Sequence, residues 1–210
     1  MKRRLLLTVC TPAFVLVMMV SCSVAPDIPL VAELGGKNGQ LFQDPFGDCM
    51  GMYEFQYDIV KIQVFIDRYN TNLIVHITFD NPVNPPSTDM DTDELVGYME
   101  IDADQDPSTG SMAVIDGLAP GFLPPSNMGV DYSVYFWDYN SISQTVPIYN
   151  ENFINFSGYA FIYYNDTSCT LQIPLRTLGF DDGNINFGFI LGTWSEPTDV
   201  AYTYTYNAFP

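Results

Sequence analysis

The chain has 210 residues, with 25 acidic against 7 basic side chains and a formal charge of −18 at pH 7. That balance repels phosphate backbones and anionic headgroups, so it excludes nucleic-acid binding and a basic membrane patch, and it favours cations. With 47% hydrophobic and 15% aromatic residues, the chain has the makings of a core that an acidic disordered tail lacks.

The first 22 residues read MKRRLLLTVCTPAFVLVMMVSC. Lys2, Arg3 and Arg4 precede an apolar run from Leu5 to Val20, the layout of a secretory signal peptide over residues 1–21. The end of that run, Met19-Val20-Ser21-Cys22, resembles the lipobox of bacterial lipoprotein precursors. The resemblance implies a lipid on Cys22, which would become the new N-terminus. Each buried methylene is worth about 0.8 kcal/mol, so two or three acyl chains anchor stably where one does not. Ser23 follows the cysteine, and in a cell with two membranes this resembles sorting to the outer one. The expected location is the cell envelope, lipid-anchored. An ordinary signal peptide cut near Ala25 is the alternative.

All 25 acidic residues follow Cys22, with only Lys37, Lys61, Arg68 and Arg176 to balance them. Residues 22–43 show no sustained period and contain Pro26, Pro29, Gly35, Gly36 and Gly39. They are expected to be a flexible tether with at most one short ordered piece, and residues 44–210 to form one domain.

From there the pattern has period two. Val60, Ile62, Val64 and Ile66 share a face, with Phe65 as the exception. After RYNTN, Leu73, Val75, Ile77 and Phe79 share another, which predicts an antiparallel hairpin. Pro82, Pro85 and Pro86 mark a loop, because proline supplies no ladder donor. LVGYMEID (95–102) predicts a strand, and residues 103–129 a long loop. DYSVYFWDY (131–139) predicts the next strand, with shorter ones near 144–149 and 152–157. GYAFIYY and CTLQIPL form a hairpin about NDTS. RTLGFDDG is a short helical turn and a loop, and NINFGFILGTW and VAYTYTYN are the closing strands. Eight or nine short strands without a normal amphipathic helix predict an all-β, antiparallel β-sandwich, jelly-roll-like in order of elements.

The stretch IDADQDPSTG (101–110) places Asp102, Asp104 and Asp106 at alternate positions before a turn. Ca²⁺ takes six to eight oxygens at about 2.3–2.6 Å, mostly from carboxylates and carbonyls, and alternate side chains of a turning backbone can converge on one ion. The loop is not an EF-hand, since Pro107 and Ala113 occupy positions where that motif needs Gly and Glu. A second acidic run supplies Asp89, Asp91, Asp93 and Glu94. Asp181, Asp182 and Asp199 are further oxygen sources. A solvated acidic turn is the alternative, since Asp-Pro and Ser-Thr-Gly are turn signals.

Three blocks, DPFGDC…YDIVKIQV, MEIDADQDPSTG and LQIPLRTLGFDDGNINFGFILG…EPTDVA, resemble secreted bacterial β-sandwich domains. More distantly they are similar to family 9 carbohydrate-binding modules and DOMON-type domains. The resemblance implies a β-sandwich with bound calcium and a ligand surface, and it does not specify a function. The ending YTYTYNAFP departs from the polar tail that such domains lead one to expect.

Cys49 and Cys169 remain after the signal segment and Cys22 are set aside, an even pair that could form a disulfide in an oxidising compartment. Two unrelated thiols are the alternative. His76 is the single histidine, so a multi-histidine zinc site is excluded, and any catalytic or haem role for histidine would rest on it alone. Trp137, Tyr139 and Trp194 are candidate ligand-binding aromatics, because a flat apolar ring can stack on a sugar. Tyr202, Tyr204 and Tyr206 share one face of the last strand. The leading expectation is a lipid-anchored binding or structural protein with Ca²⁺-stabilised loops that meets a glycan or an envelope protein. A polysaccharide hydrolase using a carboxylate pair and a purely structural lipoprotein are the alternatives.

Overall fold

Strands with one buried face carry their apolar residues at every second position, and this pattern sets most of the elements seen. The computed structural model describes residues 37–52, 56–67, 69, 71–118, 125–150, 154–179 and 181–208, so the signal segment and Cys22 lie outside the described residues. The strands are β1 (Lys37–Gln43), β2 (Ile59–Ile66), β3 (Asn72–Phe79), β4 (Val96–Asp102), β5 (Ser111–Met112), β6 (Gly129–Val130), β7 (Tyr132–Tyr135), β8 (Thr145–Asn150), β9 (Asn155–Asn165), β10 (Ser168–Pro174), β11 (Ile185–Gly192) and β12 (Pro197–Tyr206). A five-residue helix, α1 (Val114–Leu118), lies between β5 and β6, and short 3₁₀ turns follow β7 and β10.

Ten strands form one sheet in the order β1-β2-β3-β10-β9-β8-β7-β4-β11-β12, and β5 and β6 form a separate ribbon. Every pairing between these strands is antiparallel. The fold is therefore all-β and antiparallel, as the alternation predicts, with more strands than the eight or nine expected. Its sandwich-like core comes from one sheet curled into a half-barrel. Leu73, Val75, Ile77 and Phe79 face inward with Ile62, Val64, Met99, Ile101, Leu171, Phe187 and Phe189.

Local backbone geometry explains where elements differ from the sequence pattern. A bulge between Ile59 and Lys61 turns Ile59 into the core and leaves Val60 half-exposed. The last seven residues of the expected tether form β1, which pairs with β2. The strand expected over 131–139 stops at Tyr135, where Phe136–Asp138 turn into a 3₁₀ helix. The two strands expected at 152–157 and 158–164 form a single one, β9.

The long loop after β4 is also folded. Its Ala113, Met128 and Val130 pack on Ile190, with Tyr98, Val114 and Val200 at the edge, and make a second small core. Val114 N–H donates to Glu100 Oε1 at 2.8 Å. This loop buries the outer face of β4, so Glu100 and Asp102 are both fully inaccessible. Gly97 lets β4 approach β11, since it holds φ +130° and a Cβ there would strike the Ile190 carbonyl oxygen.

The ends of the sheet meet without a backbone ladder. Side chains of β12 instead satisfy the backbone in and just before β2. Thr198 Oγ1 accepts from Tyr57 N–H at 3.0 Å and donates to Tyr57 O at 2.9 Å. Asp199 Oδ2 accepts Ile59 N–H at 2.6 Å, and the Tyr206 hydroxyl accepts Ile66 N–H at 3.1 Å. Phe42 of β1 packs on Tyr204 and Phe187, with ring centroids 4.9 and 5.5 Å away.

Tyr206→Phe leaves the buried Ile66 N–H without that acceptor. The substitution is expected to destabilise the protein by about 1–3 kcal/mol, read by urea unfolding, and to speed hydrogen exchange at the Ile66 amide. Unchanged exchange there would show that the hydroxyl does not close the seam.

Candidate functional site

Register between β4 and its neighbours builds the acidic site. Asp102 ends β4 opposite Asn186 of β11, and Ile101 pairs with Tyr132 of β7, which brings Asp131 alongside. Asp102, Asp104 and Asp131 each place a carboxylate oxygen within 4.8 Å of the others. Asn186 Nδ2 donates to Asp102 Oδ2 at 3.0 Å, and the Gly129 N–H also reaches that carboxylate. Asp102 Oδ1 is shielded from solvent and accepts nothing. Ala103 N–H donates to Asp131 Oδ2 at 2.9 Å.

The turn that follows is locally self-contained. Asp104 Oδ1 accepts Asp106 N–H at 2.9 Å, and the Thr109 hydroxyl donates to the Asp104 carboxylate at 2.9 and 3.1 Å. Asp106 Oδ1 accepts from Ser108 N–H at 2.9 Å and from its hydroxyl at 2.6 Å. Asp106 is thus a turn-forming residue, and Asp131 takes its expected place in the cluster. A Cβ at Gly129 would strike the Thr109 carbonyl oxygen, so glycine lets the turn lie against β6.

Electrostatics follow from burial. Desolvation pushes the Asp102 and Asp131 carboxyls above the usual carboxylate range, with Asp104 adding repulsion to both. Asp181 is also raised, to about 6, by burial and then by Asp182, Asp131 and Asp104. It is a fourth carboxylate near the cluster. The two hydrogen bonds from Ser108 hold Asp106 below its ordinary value. Hard oxygen donors of this kind suit Ca²⁺ or a similar cation.

The other expected metal ligands stay apart. Asp89 and Asp91 are exposed, and Asp93 Oδ2 is taken by Asn84 Nδ2 at 2.7 Å. Glu94 is buried and accepts Trp194 Nε1–H at 2.7 Å. Asp199 joins a different group, with Asp44 and Asp48.

Cys49 and Cys169 are free thiols, which corrects the expected bridge. Cys169 is enclosed in the apolar core, whereas Cys49 lies in the loop after β1 and donates to Tyr57 O at 3.4 Å. Burial pushes Cys49 up to about 12 and Cys169 higher, so neither is a ready thiolate. His76 is half-buried, with Nδ1 2.9 Å from Thr170 Oγ1, and burial lowers its pKa, so it is a neutral strand residue.

Aromatic residues gather elsewhere on the same outer face. Tyr98 stands four residues before Asp102 on β4, roughly 13 Å along the strand at about 3.3 Å per residue. Trp137 packs on Tyr98 and Tyr135 with centroids 5.5 and 4.9 Å away. With Tyr149 these rings line an open groove of about 440 Å³. The ring path continues through Tyr149 to Phe156 and Tyr159, both more than half exposed. Trp137 also borders a second groove of about 160 Å³, shared with Trp194.

Tyr139 does not join them. It packs edge-on against Tyr164, 5.3 Å away, beside the core. Tyr204 and Tyr206 serve the seam. Tyr98, Tyr135 and Tyr149 line the groove beside Trp137, and the sequence pattern hides them among ordinary strand aromatics.

The chain matches no protein-family model, no curated protein and no solved structure.

In metal-free buffer, stability is expected to fall as pH rises from about 5 to 8. Asp44 and Asp181 titrate near 6 and Asp199 near 7 in the folded protein, against about 3.8 unfolded. The folded state therefore holds extra protons, and that stabilisation, complete below about pH 4, is lost through the folded values. Asp67, Glu94 and Asp106 shift the other way, but their contribution is already in place by pH 5, and His76, lowered from 6.5 by burial, is a single group opposing three inside the window. Melts in EDTA at pH 5, 6, 7 and 8 check the slope, and a midpoint that rises across this window contradicts it.

Proposed function

We propose that the protein is a lipid-anchored cell-envelope protein that binds glycan on the Tyr98–Tyr135–Trp137–Tyr149 surface, with Ca²⁺ at Asp102, Asp104 and Asp131 rigidifying the adjoining loop. The observation that carries the glycan reading is the aromatic groove. It presents apolar ring faces with hydroxyl tips, the surface that meets the C–H face of a sugar while its polar edge bonds to the hydroxyls. The groove is shallow and open, which suits a chain that runs across it.

Three features support the calcium role. Asp102 is buried and Asp131 half-buried, and the two repel each other, Asp104 adds a third charge, and Asp102 has an unpaired buried oxygen. A cation would offset that repulsion. It would also tie the start of the long loop to β4 and β7, the two strands that carry Tyr98 and Tyr135. The Cys22 anchor rests on the lipobox resemblance and places the sheet outside the membrane, where an envelope polysaccharide is within reach.

Screening the purified protein on a polysaccharide array in calcium buffer tests this reading. Trp137→Ala is expected to weaken the strongest hit by about thirtyfold, the roughly 2 kcal/mol of an aromatic hot spot, and to keep the fold, checked by circular dichroism. Asp104→Asn is expected to reduce the Ca²⁺-dependent rise in melting temperature. Cys22→Ser is expected to release the protein from the membrane fraction. Equal glycan binding with and without Trp137, or none by either protein, ends the glycan reading.

A further inference from the structure

Trp137 belongs to two grooves at once. Beyond the groove of Tyr98, Tyr135 and Tyr149 it borders the smaller one of about 160 Å³, which runs along the start of β4 and the end of β11 to Trp194. Strand register puts the two side by side. Tyr98 pairs with Tyr135 of β7 on one side and with Ile190 of β11 on the other. Tyr149 of β8 stands 6.2 Å from Tyr135, ring to ring. The line from β8 through β7 and β4 to β11 crosses three strand spacings, roughly 14 Å at about 4.8 Å each. Past β11 it meets Trp194, in the turn that leads into β12.

Trp194 is held in place. Gly192 pairs with Pro197, and Thr193 N–H donates to Glu196 O at 3.0 Å, so the turn over residues 193–196 is closed by its own backbone. The indole Nε1–H donates to Glu94 Oε2 at 2.7 Å, and Glu94 is only 4% exposed. With its N–H committed to a buried carboxylate, Trp194 brings an apolar ring to the groove. Ser195 and Glu196 add polar groups to the same lining.

Charge selects among ligands. None of the described residues that line either groove is basic. The ionised groups that act on the tyrosines are acidic, Glu100 on Tyr98 and Asp138 on Tyr135 and Tyr149. With Glu94 and Glu196 they leave a negative field along the whole path, which opposes uronate, sulfate and phosphate groups.

We infer that the Trp194 groove is a second sugar subsite, so that the ligand is a linear glycan without acidic groups that runs across β8, β7, β4 and β11 and rests on Trp137 midway. The inference rests on the glycan reading of the first groove and extends it in length and in chemical class. Each groove then has an indole for the C–H face of a sugar, and Ser195 and Glu196 meet the hydroxyls at the far end.

Titrations of the purified protein with cello-, manno- and chito-oligosaccharides, from the monosaccharide to the hexasaccharide, test it by tryptophan emission. Trp137 and Trp194 are the only two tryptophans, so Trp194→Phe reports from Trp137 and Trp137→Phe from Trp194. In the best-bound series, Trp137 emission is expected to respond from the shortest binder upward, and Trp194 emission only once the chain is long enough to reach it. Affinity is expected to rise with length across that point and then level off. Trp194→Ala is made together with Glu94→Gln, so that no buried charge loses its donor, and circular dichroism checks the fold. This pair is expected to weaken the longest oligomer about tenfold relative to Glu94→Gln alone, and to leave the shortest binder unchanged. Oligogalacturonates are expected to bind more weakly than the best neutral series. Binding that needs Trp137 but is complete with the shortest oligomer and indifferent to Trp194 overturns the second subsite and leaves the first standing. Preference for oligogalacturonate overturns the chemical class. No binding by any series removes the glycan reading and this inference with it.

Discussion

The closure of the sheet is the constraint on which the rest depends. A ten-stranded antiparallel sheet has two edges, and an edge exposes unpaired backbone groups. Here β12 comes up against β2 and the residues before it, with no ladder between them. Thr198, Asp199 and Tyr206 supply acceptors from side chains, and Tyr57 N–H, Ile59 N–H and Ile66 N–H take them. This arrangement satisfies the backbone while leaving the strands free of a ladder register. It also commits polar side chains to a nearly dry place, since Thr198, Asp199 and Tyr206 are all buried.

That commitment explains the electrostatics of the acidic chain. Apolar side chains from all parts of the sheet fill the concave face, so carboxylates are driven to the outer face, strand ends and the seam. At two of those places loops fold over them. The DPFGD turn covers Asp58 and Asp199, and the long loop after β4 covers Asp102 and Glu100. Desolvation then raises Asp44, Asp102, Asp131, Asp181 and Asp199 together. Without a counter-charge, each such group trades ionisation for burial.

Sequence alone reveals the strands well and the clusters poorly, for a physical reason. Alternation is local, so the inward faces of β3, β10 and β11 follow directly from Leu73, Val75, Ile77, Phe79, Leu171 and Phe187. Bulges break the inference, as at Val60, which yields its core place to Ile59. The long loop reads as irregular because its buried residues, Ala113, Met128 and Val130, are few and widely spaced. Carboxylate convergence is a matter of register between distant strands. Asp131 meets Asp102 because Tyr132 pairs with Ile101, and Asp44 meets Asp199 because the sheet curls. Neither event leaves a mark in the spacing of residues. Asp106 shows the converse. It fits the D-x-D-x-D spacing, yet Ser108 lies two residues away and claims its oxygen first.

The outer face then acquires a direction. β4 presents Tyr98, Glu100 and Asp102 on alternate positions, so one strand carries an aromatic end, a buried acid and an acidic end in a line. Glu100 holds the helix-bearing loop through Val114 N–H, and Trp137 leans on Tyr98 from the turn after β7. Any force that fixes Asp102 and Asp131 therefore acts on the two strands from which the aromatic surface rises. Tyr98 pairs directly with Tyr135 across the β4–β7 ladder, so the spacing of their backbones is set by strand hydrogen bonds and not by flexible loops. The backbone beneath the aromatic groove is thus fixed by the β4–β7 ladder. On the glycan reading proposed above, such a fixed backbone would leave less conformational entropy to be lost on binding.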